Sequence, residues 1–219
     1  MLWKRLILNA LKHWRTRQSR RIPYTELNEA HLRHLQTIPN REALLDCLPH
    51  QAVVAELGVF RGDFSKEILE RTSPSVLHLI DSWEGLQSLK NLNAVQQRFQ
   101  PELACGKISI HQERSVAALN QFPDHYFDWV YIDTDHSYPT TKAELHACAR
   151  VVKADGWIAG HDYVTGNWDG GVRYGVVEAV NEFCVEHDWT IRYFTAETHR
   201  HLSFALQRLS HLSLLTSHL

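Results

Sequence analysis

The stretch Val53-Val54-Ala55-Glu56-Leu57-Gly58-Val59-Phe60-Arg61-Gly62 decides the fold. An apolar run ends in a carboxylate, Glu56, and then meets two glycines where the backbone must turn tightly. The run reads as a buried strand, the glycines as a loop that tolerates positive φ and lets a ligand approach the main chain, and the residues after Gly62 as a helix start. A carboxylate at the end of such a strand accepts hydrogen bonds from a hydroxyl-bearing or cationic ligand. Strand, loop and helix together form a nucleoside-binding signal that fits several cofactors.

Downstream, short β-branched or apolar runs alternate with helical stretches, the pattern of parallel βαβ units. Strands are expected over 52–57, 76–80, 107–111, 127–132, 157–160, 190–194 and 202–206. Seven strands fit one doubly wound α/β sheet. Leu145, Cys148, Ala149 and Val152 fall at helical spacing, as do Val176, Val180, Phe183 and Cys184, so both segments read as helices packed on the sheet. Asp155-Gly156 marks a turn into the fifth strand, and the missing helix between the last two strands implies an antiparallel hairpin.

With 219 residues, 44% hydrophobic and 22% charged, the chain can build one sizeable core. Three parts are expected: an N-terminal helical extension over 1–50, the α/β body over 51–207 and a tail over 208–219. Residues 22–50 read as helical, connective pieces capping a pocket or a sheet edge. Cys47, Cys105, Cys148 and Cys184 lie far apart with no C-x-x-C pair, which argues against a zinc ribbon or a disulfide framework and for a reducing cytoplasm. Seven of the 23 Lys and Arg residues lie in residues 1–21, which hold no acid. Trp3, Ile7, Ala10, Leu11 and Trp14 recur there at helical spacing, so the segment fits a peripheral helix on an anionic membrane or partner, or one docked on its own body. The acidic remainder lacks a basic, aromatic-interleaved stripe, which argues against a nucleic-acid substrate. Leu209, Leu212, Leu215 and Leu219 make a short amphipathic end open to homodimerisation or to packing within the chain.

In an open α/β sheet, ligands bind beyond the carboxyl ends of the strands, where strand order reverses. The expected strands deliver there Glu56 with the Gly58–Gly62 loop, Asp81, Glu113-Arg114-Ser115, Asp133-Thr134-Asp135-His136, and His161-Asp162-Tyr163. Asp81 stands 19 residues after Gly62, where a carboxylate grips ribose hydroxyls. The loop lacks the middle glycine of G-x-G-x-x-G, which counts against a nicotinamide cofactor. Ser115 suits the N-cap of a helix over 116–122. Ser82 and Trp83 border the same strand end, and Trp83 either flanks the cofactor or packs.

The segments Glu56 to Gly62, Asp81, Tyr131-Ile132-Asp133-Thr134-Asp135-His136-Ser137-Tyr138 and Gly160-His161-Asp162-Tyr163 resemble a class I S-adenosylmethionine-dependent methyltransferase. The particular resemblance is to the branch of macrocin-type and related small-molecule O-methyltransferases, and it covers roughly residues 51–207. It implies a seven-stranded Rossmann-like sheet with the last strand antiparallel, and methyl transfer from S-adenosylmethionine to a hydroxyl of a sugar or hydroxylated metabolite. It places Glu56 near the methionine end of the donor, Gly58 beneath it, Asp81 on the ribose and Glu113 to Ser115 around the adenine, with Gly62, Ser82, Trp83 and Asp133 completing the donor site.

Some such relatives hold a divalent cation with carboxylates after the fourth and fifth strands, and Asp133, His161 and Asp162 match those positions. All-oxygen ligation suits magnesium, whereas the imidazole of His161 suits zinc, iron or nickel. In the metal-free reading His161 orients Asp135 or the acceptor and Asp162 caps the following loop. His136 stands where metal-dependent relatives often carry a lysine base, which makes it the first candidate for general base, with Asp135 the second. Residues 164–171 read as a cover over the acceptor with Trp168 as its apolar face, or as a plain turn before a helix near 172. The rival to an enzyme is a non-catalytic binding module of the same fold, tethered through residues 1–21.

Overall fold

The computed structural model describes Trp3, Ile7 and residues 22–167, 171–197 and 201–209. Its strands are β1 (Gln36–Ile38), β2 (Val53–Leu57), β3 (Val76–Asp81), β4 (Ile108–Gln112), β5 (Phe127–Ile132), β6 (Val152–Gly160), β7 (Gly166–Asn167), β8 (Val172–Arg173), β9 (Trp189–Thr195) and β10 (Phe204–Arg208). The helices are α1 (Glu29–Leu32), α2 (Arg41–Asp46), α3 (Asp63–Thr72), α4 (Leu86–Arg98), α5 (Gln100–Ala104), α6 (Ser115–Leu119), α7 (Tyr138–Val151) and α8 (Val176–His187).

The main sheet runs β1-β9-β10-β6-β5-β2-β3-β4. Every pairing is parallel except those of β10, which is antiparallel to both β6 and β9. The chain winds outward from β2 through β3 to β4, then restarts on the other side of β2 with β5, so the reversal of strand order falls between β2 and β5. There the carboxyl ends of adjacent strands part and leave room for a ligand.

Alternation along the central strands explains why both faces are covered. Val54, Trp129 and Tyr131 point into a core built with α2, α3 and α4, while Ala55, Val130 and Ile132 point into a second core built with α6, α7 and α8. Period-two side-chain direction sends neighbouring residues to opposite faces, and a strand apolar at every position must be buried on both. Leu145, Cys148, Val151 and the α8 residues Val176, Val180, Phe183 and Cys184 are all buried, as the helical spacing requires.

All seven expected strands are found, each with its ends moved by a few residues at most except the fifth. β6 starts at Val152, because Val152 already pairs with Phe127 while residues 153–156 bulge out before pairing resumes at Trp157 with Trp129. Asp155-Gly156 lies in that bulge and not ahead of the strand. An eighth strand, β1, arises within 22–50 and pairs parallel with β9, covering the sheet edge. The helix after β4 begins at Ser115, so Arg114 occupies the cap position and Ser115 does not cap. The last long helix starts at Val176, since Val172–Arg173 pairs with Gly166–Asn167 in a two-stranded ladder. Trp168, the rest of the N-terminal basic segment beyond the helical, exposed Trp3 and Ile7, and Leu212, Leu215 and Leu219 lie outside the described residues.

Candidate active site at the reversal of strand order

The loop after β2 is held by its neighbours. Gly58 has φ +87°, and a Cβ there would stand 2.0 Å from the carbonyl oxygen of Asp133. The two strand ends are pinned by Gly58 N–H donating to Ile80 O (2.9 Å) and Asp133 N–H donating to Leu57 O (2.8 Å). Glycine is therefore demanded first by the close passage of β5's end, before any ligand is considered. Gly62, with φ +74°, starts α3 and faces the ring of Phe99, away from the cavity.

Asp81 holds this loop in shape. Its Oδ2 accepts from Val59 N–H and Phe60 N–H, both at 2.9 Å, and its Oδ1 accepts from Trp83 N–H at 2.8 Å. A carboxylate oxygen accepts about two hydrogen bonds, so Oδ1 keeps one lone pair for a ligand hydroxyl and Oδ2 is full. Trp83 packs inward, 2% exposed, with its indole N–H on Phe60 O (3.0 Å).

Beneath the loop Glu56 is 1% exposed and accepts from Ser65 Oγ–H. Burial pushes its carboxyl up to about 8, against the Ser65 hydrogen bond, with Asp133 and Asp81 adding like-charge repulsion and Arg41 opposing. Desolvation penalises the charged form, which favours the protonated carboxyl.

A cavity of about 530 Å³ opens above β2, β3 and β5 and is lined by Gly58, Phe60, Asp81, Ser82, Arg114 and Asp133 among others. That volume suits a drug-sized or nucleoside ligand. Of the residues expected around the donor, Gly58, Asp81, Ser82, Arg114 and Asp133 line it, as does the candidate base Asp135, whereas Glu56, Gly62, Trp83 and Glu113 do not. Glu113 turns outward to accept from Gln121 Nε2. At the mouth Arg114 makes a bidentate pair with Glu84 at 2.9 and 3.2 Å.

The floor holds a residue absent from the sequence motifs. Glu144 of α7 is fully buried and accepts from Ser115 Oγ–H (2.5 Å) and Thr134 Oγ1–H (2.9 Å), tying the loop after β4 to the loop after β5. Burial raises its carboxyl to about 7, with the two hydroxyls pulling the other way and Asp135 adding to the rise. An acid within the apolar stripe of α7, directly before Leu145, was the signal that could have found it.

Asp133 also belongs to a second cluster, with His136 and Asp162. Burial, then the neighbouring Asp162, raise Asp133 to about 7, while Arg41 and His201 pull it down. Arg41 comes from α2, its Nη1 3.7 Å from Asp133 Oδ2 and its guanidinium 4.5 Å from the centre of the Phe64 ring. Asp162, 4% exposed, is shared by two imidazoles: His136 Nδ1 lies 3.2 Å from Oδ2, and His201 Nδ1 bonds Oδ1. His136 packs 4.7 Å from the ring of Tyr174, and burial lowers its pKa despite Asp162 and Asp135. With Nδ1–H on Asp162, Nε2 is left as the basic nitrogen.

The expected grouping of Asp133, His161 and Asp162 changes here. The groups that converge within 4.8 Å are Asp133, His136 and Asp162, with His136 in the place expected for His161. His161 instead turns its Nδ1 to Ser203 Oγ (2.9 Å), which also meets Tyr131 Oη (3.2 Å), and burial drops its pKa to about 4. Its Nδ1 thus meets Ser203 and not Asp135. Asp135 is held at the start of α7, its Oδ1 accepting from Ser137 N–H and its Oδ2 from Thr140 Oγ1–H at 2.9 Å each. Arg41 and His201 were not legible in the motifs, since they reach the site from α2 and from the β9–β10 connection.

A doubly wound sheet with a nucleoside-sized cavity at its reversal point and carboxylates at three neighbouring strand ends defines a nucleotide-cofactor enzyme fold. Residues 55–163 match the family model described as Methyltransferase domain (Methyltransf_24), and the chain belongs to the class I S-adenosylmethionine-dependent methyltransferases. Solved structures with the same fold include the O-methyltransferase TomG from Streptomyces achromogenes, involved in tomaymycin synthesis and solved with SAM (TM-score 0.58, 18% identity, 84% of this chain and 92% of that one). A SAM-dependent methyltransferase from Aquifex aeolicus follows at TM-score 0.57 and 14% identity, over 82% of this chain and 93% of that one. The pyocyanin biosynthetic protein PhzM gives TM-score 0.56 at 14% identity, over 73% of this chain, which spans only 51% of its length. No curated protein matches the chain significantly. At these identities the structural likeness speaks for the fold, and the acceptor must be argued from the site.

Proposed function

We propose that the chain transfers the methyl group of S-adenosylmethionine to a hydroxyl of a small molecule, a sugar or other hydroxylated metabolite, with the donor in the cavity lined by Gly58, Asp81 and Arg114. One observation carries this reading: Asp133 lines the cavity and also offers an oxygen within 4.8 Å of the ligand atoms of His136 and Asp162, so a donor in the cavity would share one carboxylate with an acceptor beside His136. Methyl transfer from a sulfonium is an in-line displacement, so the protein must hold the two reactants in line and make the oxygen nucleophilic. His136, held by Asp162 and neutral at working pH, takes the hydroxyl proton. Asp81 offers its free lone pair to the ribose, and Ser115, Thr134 and Glu144 form the floor of the donor cavity.

A second reading has a divalent cation at the acceptor, favoured by the convergence of Asp133, His136 and Asp162. The mixed donors suit zinc, iron or nickel over magnesium. Such an ion would relieve the repulsion between Asp133 and Asp162 and would lower the pKa of the acceptor hydroxyl. Against it, both oxygens of Asp162 are already engaged by imidazoles and Arg41 already supplies positive charge beside Asp133. Turnover of a panel of hydroxylated compounds with labelled donor, with and without a chelator, separates the readings. Unchanged turnover removes the cation, and transfer to no compound in the panel by folded, donor-binding protein speaks for the non-catalytic binding module.

A further inference from the structure

Away from the cavity, α7 and α8 carry a group of side chains that the methyl-transfer chemistry does not use. His146 of α7 and the last two residues of α8, Glu186 and His187, each offer one ligand atom, and these three atoms lie within 4.8 Å of one another. The two imidazoles stand perpendicular with ring centres 4.6 Å apart. The Phe183 ring backs both, at 5.9 Å from His146 and 5.1 Å from His187, giving the pair an apolar wall on one side. Among the described residues neither imidazole has a hydrogen-bond partner. The nearest competing cation, Lys142, is drawn to Glu182 at 3.0 Å and stands 3.9 Å from Glu186.

We propose that His146, Glu186 and His187 form a binding site for a borderline transition cation of the zinc class, bridging α7 and α8. Two imidazole nitrogens and one carboxylate oxygen are a donor set that zinc, cobalt and nickel accept, and that magnesium and calcium, which want oxygen, do not. Three protein ligands leave a position for water. All three donors sit on regular helix, so the site is held by backbone packed on the sheet and little ordering is needed to close it.

The site also has a place in the fold that gives it consequence. α7 begins two residues after His136, and the residue before α8, Gly175, donates its N–H to His136 O at 2.8 Å. A cation joining the two helices therefore braces the pair whose N-terminal ends meet at the candidate base, and it stabilises the folded chain by mass action because the unfolded chain has no preformed site.

The test is calorimetric titration of zinc chloride into the chelator-treated full-length chain at neutral pH, paired with thermal melts with and without zinc. The expected result is one-site binding with a raised melting temperature. Binding persists in Asp162→Asn and in Asp133→Asn, two independent variants that take apart the inner cluster. It weakens by at least about tenfold in His146→Gln and in His187→Gln, since losing a ligand costs more than losing an outer-shell partner, which alone costs about tenfold or more. Both imidazoles reach the surface, so their replacement leaves the circular dichroism unchanged. Absence of binding in the wild type, wild-type affinity in either outer variant, or loss of binding only in the inner variants overturns the proposal.

Discussion

Donor binding is predicted to release a proton from Glu56, which is buried at the end of β2 just before the Gly58 loop. S-adenosylmethionine brings a fixed positive charge on sulfur, and Glu56, pushed up to about 8 chiefly by burial, is protonated below that pH. If the arriving cation ionises Glu56 completely, affinity scales with the fraction already ionised in the free protein, roughly one in a hundred at pH 6 and one half at pH 8. Donor affinity then rises about tenfold per pH unit over most of that range and flattens above it, roughly fiftyfold in all. Asp133 and Glu144, both near 7, steepen the lower part, so the difference between wild type and Glu56→Gln is the diagnostic quantity. S-adenosylhomocysteine lacks the sulfonium, and its slope should be shallower. Isothermal titration of both ligands at half-unit steps from pH 6 to 9 reads this directly. The same slope for S-adenosylmethionine in wild type and Glu56→Gln would refute the coupling. Stability runs the other way: the folded pKa stands above the ordinary 4.5, so the contribution of Glu56 is full below that value and is lost as pH rises toward 8.

Gly58→Ala puts a methyl group against the Asp133 carbonyl at a positive φ, a clash that backbone must absorb. A loss of about 2 kcal/mol or more is expected in urea unfolding, together with donor affinity, and an unchanged midpoint would show that the two strand ends can part freely. Replacing His136 by Asn should cut kcat by about a hundredfold or more while leaving donor affinity within a few fold, and full activity in that variant would remove it as the base. His78 lies against His111 (3.0 Å between ring nitrogens) among Phe122, Tyr126 and Phe127, and burial lowers it to about 4. Its folded pKa stands below the ordinary 6.5, so its contribution to stability is full above 6.5 and falls as pH drops toward 4. Urea midpoints over that window should decline less in His78→Phe, and parallel declines would place the acid sensitivity elsewhere.

The sheet was legible because its central strands are apolar at nearly every position and are bounded by turn residues, a signal that needs no tertiary information. β1 was not: Gln36-Thr37-Ile38 is short and largely exposed, and it becomes a strand only because β9 offers an open edge. The early start of β6 was hidden by the charged bulge at 153–156, where local chemistry reads as a turn although pairing has already begun at Val152. At the site, topology alone brings strand ends together, so Gly58, Asp81 and Asp133 were found from spacing. Which neighbouring side chain turns inward was not fixed by spacing. His136 and Asp162 both have φ of +60°, which swings the two toward each other, while adjacent His161 faces Ser203. Arg41, Glu144 and His201 enter from a helix, from the buried face of α7 and from a connection, where no strand-end rule applies.

Donor binding in the cavity between β2, β3 and β5 is the claim on which the proposed chemistry depends. Calorimetric titration of S-adenosylhomocysteine into the folded chain tests it most directly, with Asp81→Ala as the partner measurement. A saturable one-to-one isotherm, clearly weakened in Asp81→Ala, is the predicted result, and a flat isotherm on folded wild-type protein would contradict it.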